Sequence, residues 1–525
     1  MLPALLSKFP ISPLAYGSDL WRLVLVLGTT LAILFAGHVW QNASLRRKMP
    51  PGPHGLPLIG NSHQIPAVKP WRTFEKLNKV YGPVMSLFFG NTPIIVLGTA
   101  QSAWDLLEKR SEIYSSRPRF IMSGEILSEN RRGLMLPYGE SWRKWRKVLH
   151  SGFHARQSAN YKDIQTLESK IAMQQIIDNP KDYEKHLQRL CFLKYPLLTY
   201  GRRVESVDEW IVKENMIAMD CKYIVESLPW LLKLPKPLQW FRREAEMQKT
   251  RDITLLMHLV GDVKQRMTAG TIPDCLTVQA LENQEKEGID DLFLAYTVSS
   301  PFGAGIETTA GTLCTFVLAM LHFPDVIRKA QAELDSVIGA NRMPEFDDHD
   351  SLPYIGAVVR ETLRWRPVAI LGGTPHAVTA DDEYKGMLIP KGSTIFANFA
   401  GIMNDSEMFP EPELFRPERF LETRDPRLTA FELPFGFGRR ICPGMHLARN
   451  SLFINVARLL WAFDIVPALD KSGREIIPDS MNYTDGFNSR PVSFDARFIP
   501  RSEKVKNVIK SEYASAQERL GSWSW

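Results

Sequence analysis

The chain is poor in cysteine and contains no long tract of biased composition. Its five cysteines, Cys191, Cys221, Cys275, Cys314 and Cys442, are an odd set at wide and irregular spacing. A disulfide framework or a zinc site needs paired cysteines or short, regular spacings, so the sequence argues against both. A reducing compartment is therefore expected, in which four of the five are ordinary small apolar residues.

The Lys and Arg residues are spread along the chain, and the formal net charge over 525 residues is only +6. A nucleic-acid-binding chain normally concentrates its cations on one motif or face, so we expect no nucleic acid partner. The composition is otherwise globular, with 44% hydrophobic and 23% charged residues. The sequence shows no dinucleotide-binding fingerprint and no flavin segment.

Charged residues are absent from residues 23–40, a run that just reaches the length needed to span a bilayer. This predicts a transmembrane helix over residues 20–40, preceded by a luminal N-terminus over residues 1–19. The basic cluster Arg46-Arg47-Lys48 follows the run, and by the positive-inside rule it places the C-terminal bulk in the cytoplasm. A cleaved signal peptide is the alternative, but its apolar core is normally shorter and its positive charges stand in front.

A basic and proline-rich hinge over residues 41–60 is expected to follow the anchor. The prolines between positions 50 and 57 exclude a helix and favour a stiff, extended connector. Beyond the hinge, alternating apolar runs at 84–89 and 94–97, separated by Gly90-Asn91, predict a β-hairpin.

Helical patterns dominate from about residue 100 onward. The longest pattern predicts a buried, apolar helix over 289–322, with Asp290 and Asp291 in its first turn. Another predicts a helix over 351–366 that begins with a Ser351 cap and stops before a proline.

The expected fold class is therefore mainly α with small β-sheets, as one large helical domain over residues 61–500 and a polar tail over 501–525.

Within the predicted helical domain, the segment 228–241 is unusually apolar for a stretch so rich in proline. Because loops normally lie on the surface, the segment is a candidate second membrane contact, unless it folds against its own core.

A glycine-rich loop near the C-terminus contains Cys442, with Arg440 two residues before it. Gly438 and Gly444 lack a Cβ atom, so the loop can turn tightly and approach a flat ligand closely. Arg440 can neutralise an anionic group on that ligand, and backbone amides can donate to a thiolate, which suits a metal-bound cysteine. Together with Phe435, these residues match the pattern F-x-x-G-x-R-x-C-x-G, which resembles the haem-ligand loop of cytochrome P450 enzymes.

The resemblance implies a cytochrome P450 fold, a haem cofactor and axial ligation of the haem iron by the Cys442 thiolate. Trp142 and Arg146 match the W-x-x-x-R pair that binds a haem propionate in this family. His376 and Arg440 fall where further propionate partners are expected. Since haem carries two carboxylates, a buried pocket needs at least two cationic or N–H donors for them.

The long helix contains the sequence Ala304-Gly305-Ile306-Glu307-Thr308-Thr309. Glycine, acid and hydroxyl residues all disfavour or perturb an apolar helix interior, and such exceptions are expected at functional sites. The segment resembles the oxygen-activation motif of the family, which implies that Glu307 and Thr308 are catalytic and deliver protons. Pro301 lies four residues before Gly305, so a stronger kink than usual is expected here.

A structural cluster is also implied by the resemblance. The E-x-x-R pair Glu361 and Arg364, with Arg419 from a later P-E-R-F segment, matches the Glu–Arg–Arg group that underlies the haem loop in the family. Alone, an acid and a base three residues apart on a helix are a common surface feature.

These motifs imply a membrane-anchored haem-thiolate monooxygenase that uses O2 and electrons from NADPH through a separate NADPH–cytochrome P450 reductase. The expected location is the endoplasmic reticulum membrane, single-pass, with the catalytic domain on the cytoplasmic side. Arg143, Lys144 and Lys147 either face the acidic reductase or form an ordinary solvated surface. A haem-thiolate isomerase, dehydratase or peroxygenase, and a non-enzymatic haem carrier or sensor, are the alternatives.

The substrate is expected to be a lipophilic small molecule, because the residues assigned to the pocket wall are apolar or small. The general style of the sequence is similar to fungal members that act in secondary-metabolite biosynthesis. The assigned wall residues are Phe120, Phe302, Ala304, Val368 and Phe487.

Overall fold

The computed structural model describes residues 13–202 and 224–522, so Cys221, most of the predicted luminal segment and the last three residues lie outside the described ranges. The described chain is mainly helical with small sheets, as the sequence predicts. Its helices of twelve or more residues are α1 (Pro13–Arg46), α2 (Pro70–Tyr81), α3 (Glu140–Phe153), α4 (Lys162–Asp178), α5 (Tyr183–Tyr200), α6 (Arg242–Thr268), α7 (Asp291–His322), α8 (Pro324–Val337), α9 (Pro353–Trp365), α10 (Met445–Ala462) and α11 (Glu503–Ser522).

Shorter helical segments connect these helices. They are Ala100–Ala103, Trp104–Glu108, Ser111–Tyr114, Ile121–Ile126, Ala155–Asn160, Pro180–Asp182, Ile224–Ser227, Pro229–Lys233, Lys236–Leu238, Leu276–Glu282, Gln284–Glu287, Phe346–Ser351, Phe399–Ile402, Arg419–Glu422, Pro426–Ala430, Leu433–Phe435 and Gly438–Arg440.

Helix α7 forms the centre of the molecule and packs against α3, α5, α6, α9 and α10. It begins two residues later than predicted, because the Asp290 carboxylate caps it by accepting a hydrogen bond from the Phe293 backbone N–H at 2.7 Å. The helix continues without interruption through Pro301. Most of its faces are buried, which explains why its composition is apolar all round.

Helix α9 also begins two residues later than its predicted start, and the predicted Ser351 cap is wrong. Ser351 instead ends a 3₁₀ turn, and the first helical residue is Pro353. The free N–H groups of the first turn are satisfied from outside, since the Glu333 carboxylate on α8 accepts from the backbone N–H groups of Tyr354 and Ile355 at 2.9 and 3.0 Å.

The strands are β1 (Val84–Phe89), β2 (Thr92–Leu97), β3 (His376–Ala377), β4 (Asp382–Tyr384), β5 (Met387–Ile389), β6 (Thr394–Ala397), β7 (Phe463–Leu469), β8 (Glu475–Ile476) and β9 (Ala496–Pro500). The first sheet has the order β1-β2-β6-β3, and its β1–β2 pair is the predicted hairpin, with Val84 opposite Leu97. Strand β3 pairs antiparallel with β6 and thereby fixes His376 opposite Ile395. Strands β4 and β5 form a second sheet, and β8-β7-β9 a third.

The N-terminal helix α1 is longer than the predicted span, and its apolar side chains are exposed, including Trp21 and Trp40 at 70% and 72%. Among the described residues, only Trp21–Arg46 and α7 are long and apolar enough to cross a membrane, and 78% of the α7 window is buried in the protein. The N-terminal helix is therefore the candidate anchor.

The proline-rich hinge is attached to the first sheet. The Ser86 backbone N–H donates to the Pro51 carbonyl at 2.9 Å, and the Ser86 hydroxyl donates to the Pro50 carbonyl. Gly52 lies so close to β1 that a Cβ atom on it would be 1.8 Å from the Ser86 carbonyl oxygen. The chain after the anchor is thus held against the domain.

The C-terminal tail contains helix α11, which packs on α4 and buries Val505, Ile509, Ala516 and Leu520. Lys170 of α4 forms ion pairs with Glu512 of α11 at 2.7 Å and with Glu345 at 3.0 Å. The tail is therefore part of the folded domain.

The apolar segment 228–241 is divided between core and surface. Leu231 and Phe241 are buried in a small cluster that also contains Ile121 and Met122. Trp230 and Trp240 of the same segment are 55% and 64% exposed.

Candidate active site

Cys442 lies at the wall of a cavity of about 520 Å³, in the loop between the 3₁₀ turn Gly438–Arg440 and helix α10. Its backbone N–H donates to the Phe435 carbonyl at 2.8 Å, which closes the loop. Burial raises the pKa of the Cys442 thiol, while the Gly444 backbone N–H and the nearby Arg146 charge act in the opposite direction. The same donors would stabilise a metal-bound thiolate.

Gly438 is required by the shape of this loop. Its φ is +51°, and a Cβ atom would lie 2.6 Å from the Leu107 carbonyl oxygen and 2.9 Å from the Ser111 Cβ atom. Phe435, Arg440 and Gly444 line the cavity beside Cys442. Gly438 is not part of the cavity lining and instead allows the loop to pack closely against Leu107 and Ser111.

Cationic side chains from three parts of the chain meet beside the cysteine loop. Arg146 of α3 donates to the Ile441 carbonyl at 2.6 Å, and Arg440 donates to the carbonyls of Ser115 and Leu136, each at 2.7 Å. Arg117 is a third member, which sequence reasoning missed; it is 7% exposed and donates through Nη1 to the Thr374 carbonyl at 2.6 Å.

The three guanidinium groups all line the cavity, and no carboxylate among the described residues is paired with them. Burial lowers the pKa of Arg117 to about 9. Burial, together with the charges of Arg117 and Arg146, lowers the pKa of Arg440 to about 8. A concentration of buried positive charge of this kind is unfavourable by itself and favours an anionic ligand.

Trp142 and His376 complete this wall. The Trp142 indole N–H is buried without a hydrogen-bond partner among the described residues, and the Arg440 guanidinium lies 4.6 Å from the ring centre. His376 is buried on β3 and donates through Nδ1 to the Tyr114 carbonyl at 2.7 Å. Burial and the charges of Arg117 and Arg440 lower the pKa of His376, which favours the neutral ring. Because the one proton of that ring is on Nδ1, Nε2 can donate to an anion only when the bound anion raises the pKa and the ring takes up a second proton.

Thr308 and Glu307 of α7 point in different directions. Thr308 lines the cavity and donates through its hydroxyl to the Ala304 carbonyl at 2.9 Å. Glu307 is exposed, outside the cavity wall, and accepts from the Asn488 amide at 3.3 Å. Asn488 itself lines the cavity, so it lies between the carboxylate and the interior.

Gly305 gives space to a tyrosine from α5. A Cβ atom at Gly305 would lie 1.9 Å from Cζ and 2.2 Å from the hydroxyl oxygen of Tyr195. Tyr195 lines the cavity and is hydrogen-bonded to Thr309. The glycine of the motif therefore permits the close approach of α5 and α7 behind the cavity.

Glu361, Arg364 and Arg419 come together at the C-terminal half of α9. Arg364 forms a bidentate pair with Glu361, through Nε at 2.8 Å and Nη2 at 2.9 Å, with both side chains fully buried. Arg419 approaches the same carboxylate at 3.1 Å. Because bidentate charge-assisted pairs fix geometry strongly, this cluster holds the end of α9 to the segment that precedes the loop.

The assigned pocket residues fall into two groups. Ala304, Val368 and Phe487 line the cavity, whereas its described lining does not include Phe120 or Phe302. Phe302 is 1% exposed and belongs to a hydrophobic core cluster, because it lies on a different face of α7 from Ala304.

The basic residues assigned to a partner surface are partly neutralised within the chain. Lys144 pairs with Glu140 at 3.0 Å, and Lys147 pairs with Glu287 at 2.6 Å. Arg143 is exposed and forms no ion pair with the described residues.

The comparisons with known proteins agree with this geometry. A family model described as Cytochrome P450 matches residues 50–485. The chain is 37% identical over 504 residues to Cytochrome P450 monooxygenase 58 of Postia placenta, with 93% of this chain and 95% of that protein covered. It is 35% identical over 494 residues to Cytochrome P450 monooxygenase fogE of Aspergillus ruber, with 91% of each chain covered. It is 36% identical over 507 residues to Cytochrome P450 monooxygenase virE of Hypocrea virens, with 93% and 92% covered.

The chain belongs to the cytochrome P450 family and is a haem-dependent monooxygenase. Enzymes of this family require O2, a redox partner and a substrate. The residues present fit the cofactor, since one cavity contains a thiol together with an indole N–H and three guanidinium groups that have no hydrogen-bond partner and no counter-ion, respectively, among the described residues. A flat metal complex that carries two carboxylates would satisfy these groups.

Proposed function

We propose that this protein is a membrane-anchored, haem-thiolate monooxygenase that oxidises a lipophilic small molecule, in secondary-metabolite biosynthesis. The observation that carries the proposal is that one cavity is lined by Cys442, by the guanidinium groups of Arg117, Arg146 and Arg440, and by Thr308 of α7. The similarity to fungal P450 monooxygenases supports it.

In this proposal, the protein holds the haem between the cysteine loop and α7. The Cys442 thiolate would bind the iron, and Arg117, Arg146 and Arg440, with Trp142, would bind the carboxylates. Bound haem supplies the oxidative chemistry by activating O2. The surrounding chain orients the cofactor and excludes bulk water from the cavity.

The residues on α7 would control proton delivery. The Thr308 hydroxyl, which lines the cavity, would hold a water molecule there, and the Glu307 carboxylate, which accepts from the Asn488 amide, would link that water to solvent. Since the two side chains are about 100° apart around the helix, one can serve the cavity and the other the outside.

We further propose that electrons come from NADPH through NADPH–cytochrome P450 reductase, because no flavin or nicotinamide segment is found in the sequence. Arg143 remains available on α3 for an acidic partner, whereas Lys144 and Lys147 are engaged in ion pairs.

We place the enzyme in the endoplasmic reticulum membrane, single-pass, with its catalytic domain on the cytoplasmic side. The exposed apolar surface of α1 and the basic residues at its C-terminal end support this orientation.

The experiment that tests the ligand assignment is the spectrum of the reduced carbon monoxide complex. The full-length protein should show the strongly red-shifted Soret band of thiolate ligation, and Cys442→His should lose this band even when haem remains bound. Cys275→Ala and Cys314→Ala are matched controls, because both residues are buried away from the cavity. A band that persists in Cys442→His would disprove the assignment.

The proton-delivery role is tested separately with Thr308→Ala. Haem binding and reduction should be unchanged, while the product formed per NADPH falls and peroxide is released, because positioned proton donors typically contribute about 10²–10⁴-fold. Thr297→Ala is the control, since Thr297 makes the same type of bond to a helix carbonyl but does not line the cavity. Unchanged coupling in Thr308→Ala would remove this residue from the mechanism.

A further inference from the structure

The cavity extends well beyond the cysteine loop and has a polar region at its far end. The residues that form this region are Arg132, Trp145, Asp252, Tyr296, Ser299 and Ser300, which we call the polar subsite. Tyr296 and Thr308 are twelve residues apart on α7, which corresponds to about 18 Å along the helix axis. Within the polar subsite, Tyr296 is therefore the residue of α7 that is most remote from Thr308.

Most donors and acceptors of the polar subsite already have partners. Asp252 accepts from Arg132 at 2.5 Å and from Gln248 at 2.8 Å, so both of its carboxylate oxygens are engaged. Ser299 and Ser300 donate to the Tyr296 carbonyl, at 3.0 and 3.1 Å. The Trp145 indole N–H donates to the Ser300 hydroxyl at 3.1 Å.

The Tyr296 hydroxyl is the exception. Tyr296 is 3% exposed, and its hydroxyl is buried with no hydrogen-bond partner among the described residues. Leaving such a group unsatisfied is unfavourable, so an acceptor is expected to reach it when the cavity is filled. Burial and the nearby Asp252 charge raise the pKa of Tyr296 to about 12, and the hydroxyl therefore remains a donor near neutral pH.

The charges around this hydroxyl favour a neutral acceptor. Arg132 and Asp252 neutralise each other as an ion pair, and the Asp252 side chain is only 11% exposed. Because this pair has no net charge, a carboxylate or an ammonium group brought to Tyr296 would lose its hydration without gaining a counter-ion. The lining of the same cavity also includes Leu255, Leu256 and Val368, which suit an apolar chain or ring system.

We propose that Tyr296 is a specificity-determining residue that donates a hydrogen bond to a neutral oxygen atom of the substrate, at the end remote from the oxidised carbon. The substrate class is thus an elongated lipophile that already carries a hydroxyl, ether or carbonyl oxygen. This inference rests on the proposed function, since it assumes that the cavity binds the substrate over haem.

The test uses ligands that bind haem iron at one end. Pairs of 1-alkylimidazoles and 1-(ω-methoxyalkyl)imidazoles with equal numbers of heavy atoms, from hexyl to dodecyl length, are titrated into the full-length holoenzyme. Affinity is measured from the shift of the Soret band. The methoxy oxygen can only accept a hydrogen bond, so each pair isolates the contribution of a neutral acceptor.

In the wild-type enzyme, we expect one chain length at which the methoxy ligand gains affinity relative to its alkyl partner. The gain should be roughly three- to tenfold, the usual range for one net hydrogen bond. Tyr296→Phe should abolish this gain and leave the affinity for the alkyl ligands unchanged. Tyr200→Phe is the matched control, because the Tyr200 hydroxyl is also buried without a partner among the described residues but does not line the cavity.

A constant affinity ratio at every chain length in the wild-type enzyme would overturn the inference. So would a gain that survives in Tyr296→Phe. Failure of Tyr296→Phe to take up haem would also contradict it, since the hydroxyl would then be a structural contact. Failure of the proposed function is recognised separately, because it would appear as a missing thiolate Soret band in the wild-type protein.

Discussion

At the residue scale, Arg117 shows how the fold creates a binding group that the sequence does not mark. It lies in the segment before Phe120, outside every motif recognised in the sequence. In the structure it is buried beside Arg440 and His376, and it uses Nε and Nη1 to bind three backbone carbonyls. No hydrogen bond from its Nη2 to a described residue is found. This nitrogen is therefore available to a carboxylate in the cavity.

We predict that Arg117→Gln weakens haem retention. Loss of a charge-assisted hydrogen bond should accelerate haem transfer to an excess of apomyoglobin by roughly tenfold or more, since such bonds contribute about 1.5–3 kcal/mol. The ligand spectrum should be unchanged in the fraction that retains haem, because Cys442 is untouched.

Arg119→Gln is the control for this change. Arg119 has a side chain that is 56% exposed and pairs with Glu125, so its replacement removes the same charge two residues away without altering the cavity. Equal rates of haem loss in Arg117→Gln and in the wild type would show that Arg117 acts only on the backbone carbonyls.

Residues whose roles are encoded within one short segment could be predicted from the sequence. The motifs of the cysteine loop and of α3 predicted Cys442, Arg440 and Arg146 as site residues, and the structure brings all three to one cavity. Arg117 and Tyr296 could not be found in this way, because their importance comes from contacts between segments that are far apart in the chain. Neither residue has a local pattern that distinguishes it from an ordinary core residue.

At the element scale, the contact between α5 and α7 explains the glycine in the helix motif. The sequence alone predicted only that Gly305 perturbs the helix. The structure shows that it removes a clash, since the Tyr195 ring occupies the space where a Cβ atom would be. The cap of α9 also could not be predicted from the adjacent sequence. The N–H groups of its first turn donate to Glu333 of another helix and not to the adjacent Ser351.

We predict that Gly305→Ala destabilises the protein and reduces its haem content. The ring of Tyr195 is buried, so it cannot move away freely, and overpacking of this kind typically costs about 1–3 kcal/mol. Thermal unfolding and the ratio of haem to protein absorbance measure the two effects. The double variant Gly305→Ala, Tyr195→Leu should recover part of the lost stability, because the smaller side chain leaves room for the new methyl group.

Gly261→Ala provides the matched control on helix α6. Nothing lies within 4 Å of the position that its Cβ atom would occupy, so a helical alanine can be accommodated there. This change should leave stability unchanged or raise it slightly, by less than about 1 kcal/mol. If Gly305→Ala were as stable as Gly261→Ala, close packing against Tyr195 would not be the reason for the glycine.

At the scale of the whole molecule, the anchor and the catalytic domain are joined by a connector that is bonded to the domain. The hinge prolines accept hydrogen bonds from Ser86, and Arg46 at the end of α1 lies 4.4 Å from the centre of the Phe88 ring. These contacts were not predicted, since proline content indicates only an extended chain and not what it packs against. They limit how freely the domain can turn relative to α1.

We predict that removal of residues 1–45 weakens membrane attachment and leaves the haem spectrum intact. The deletion removes the apolar part of α1 but keeps residues 46–60 of the hinge and every residue of the cavity wall. Fractionation of cell membranes, followed by a high-salt wash, measures attachment, and the reduced carbon monoxide spectrum measures the site.

Adding Trp230→Ser and Trp240→Ser to the truncated protein tests the second contact, because these exposed side chains can enter a lipid surface without contributing to the core. If truncation alone leaves the protein in the membrane and the two substitutions then release it, the 228–241 segment is the second contact. Loss of the haem spectrum on truncation would contradict the view that the anchor contributes nothing to the site.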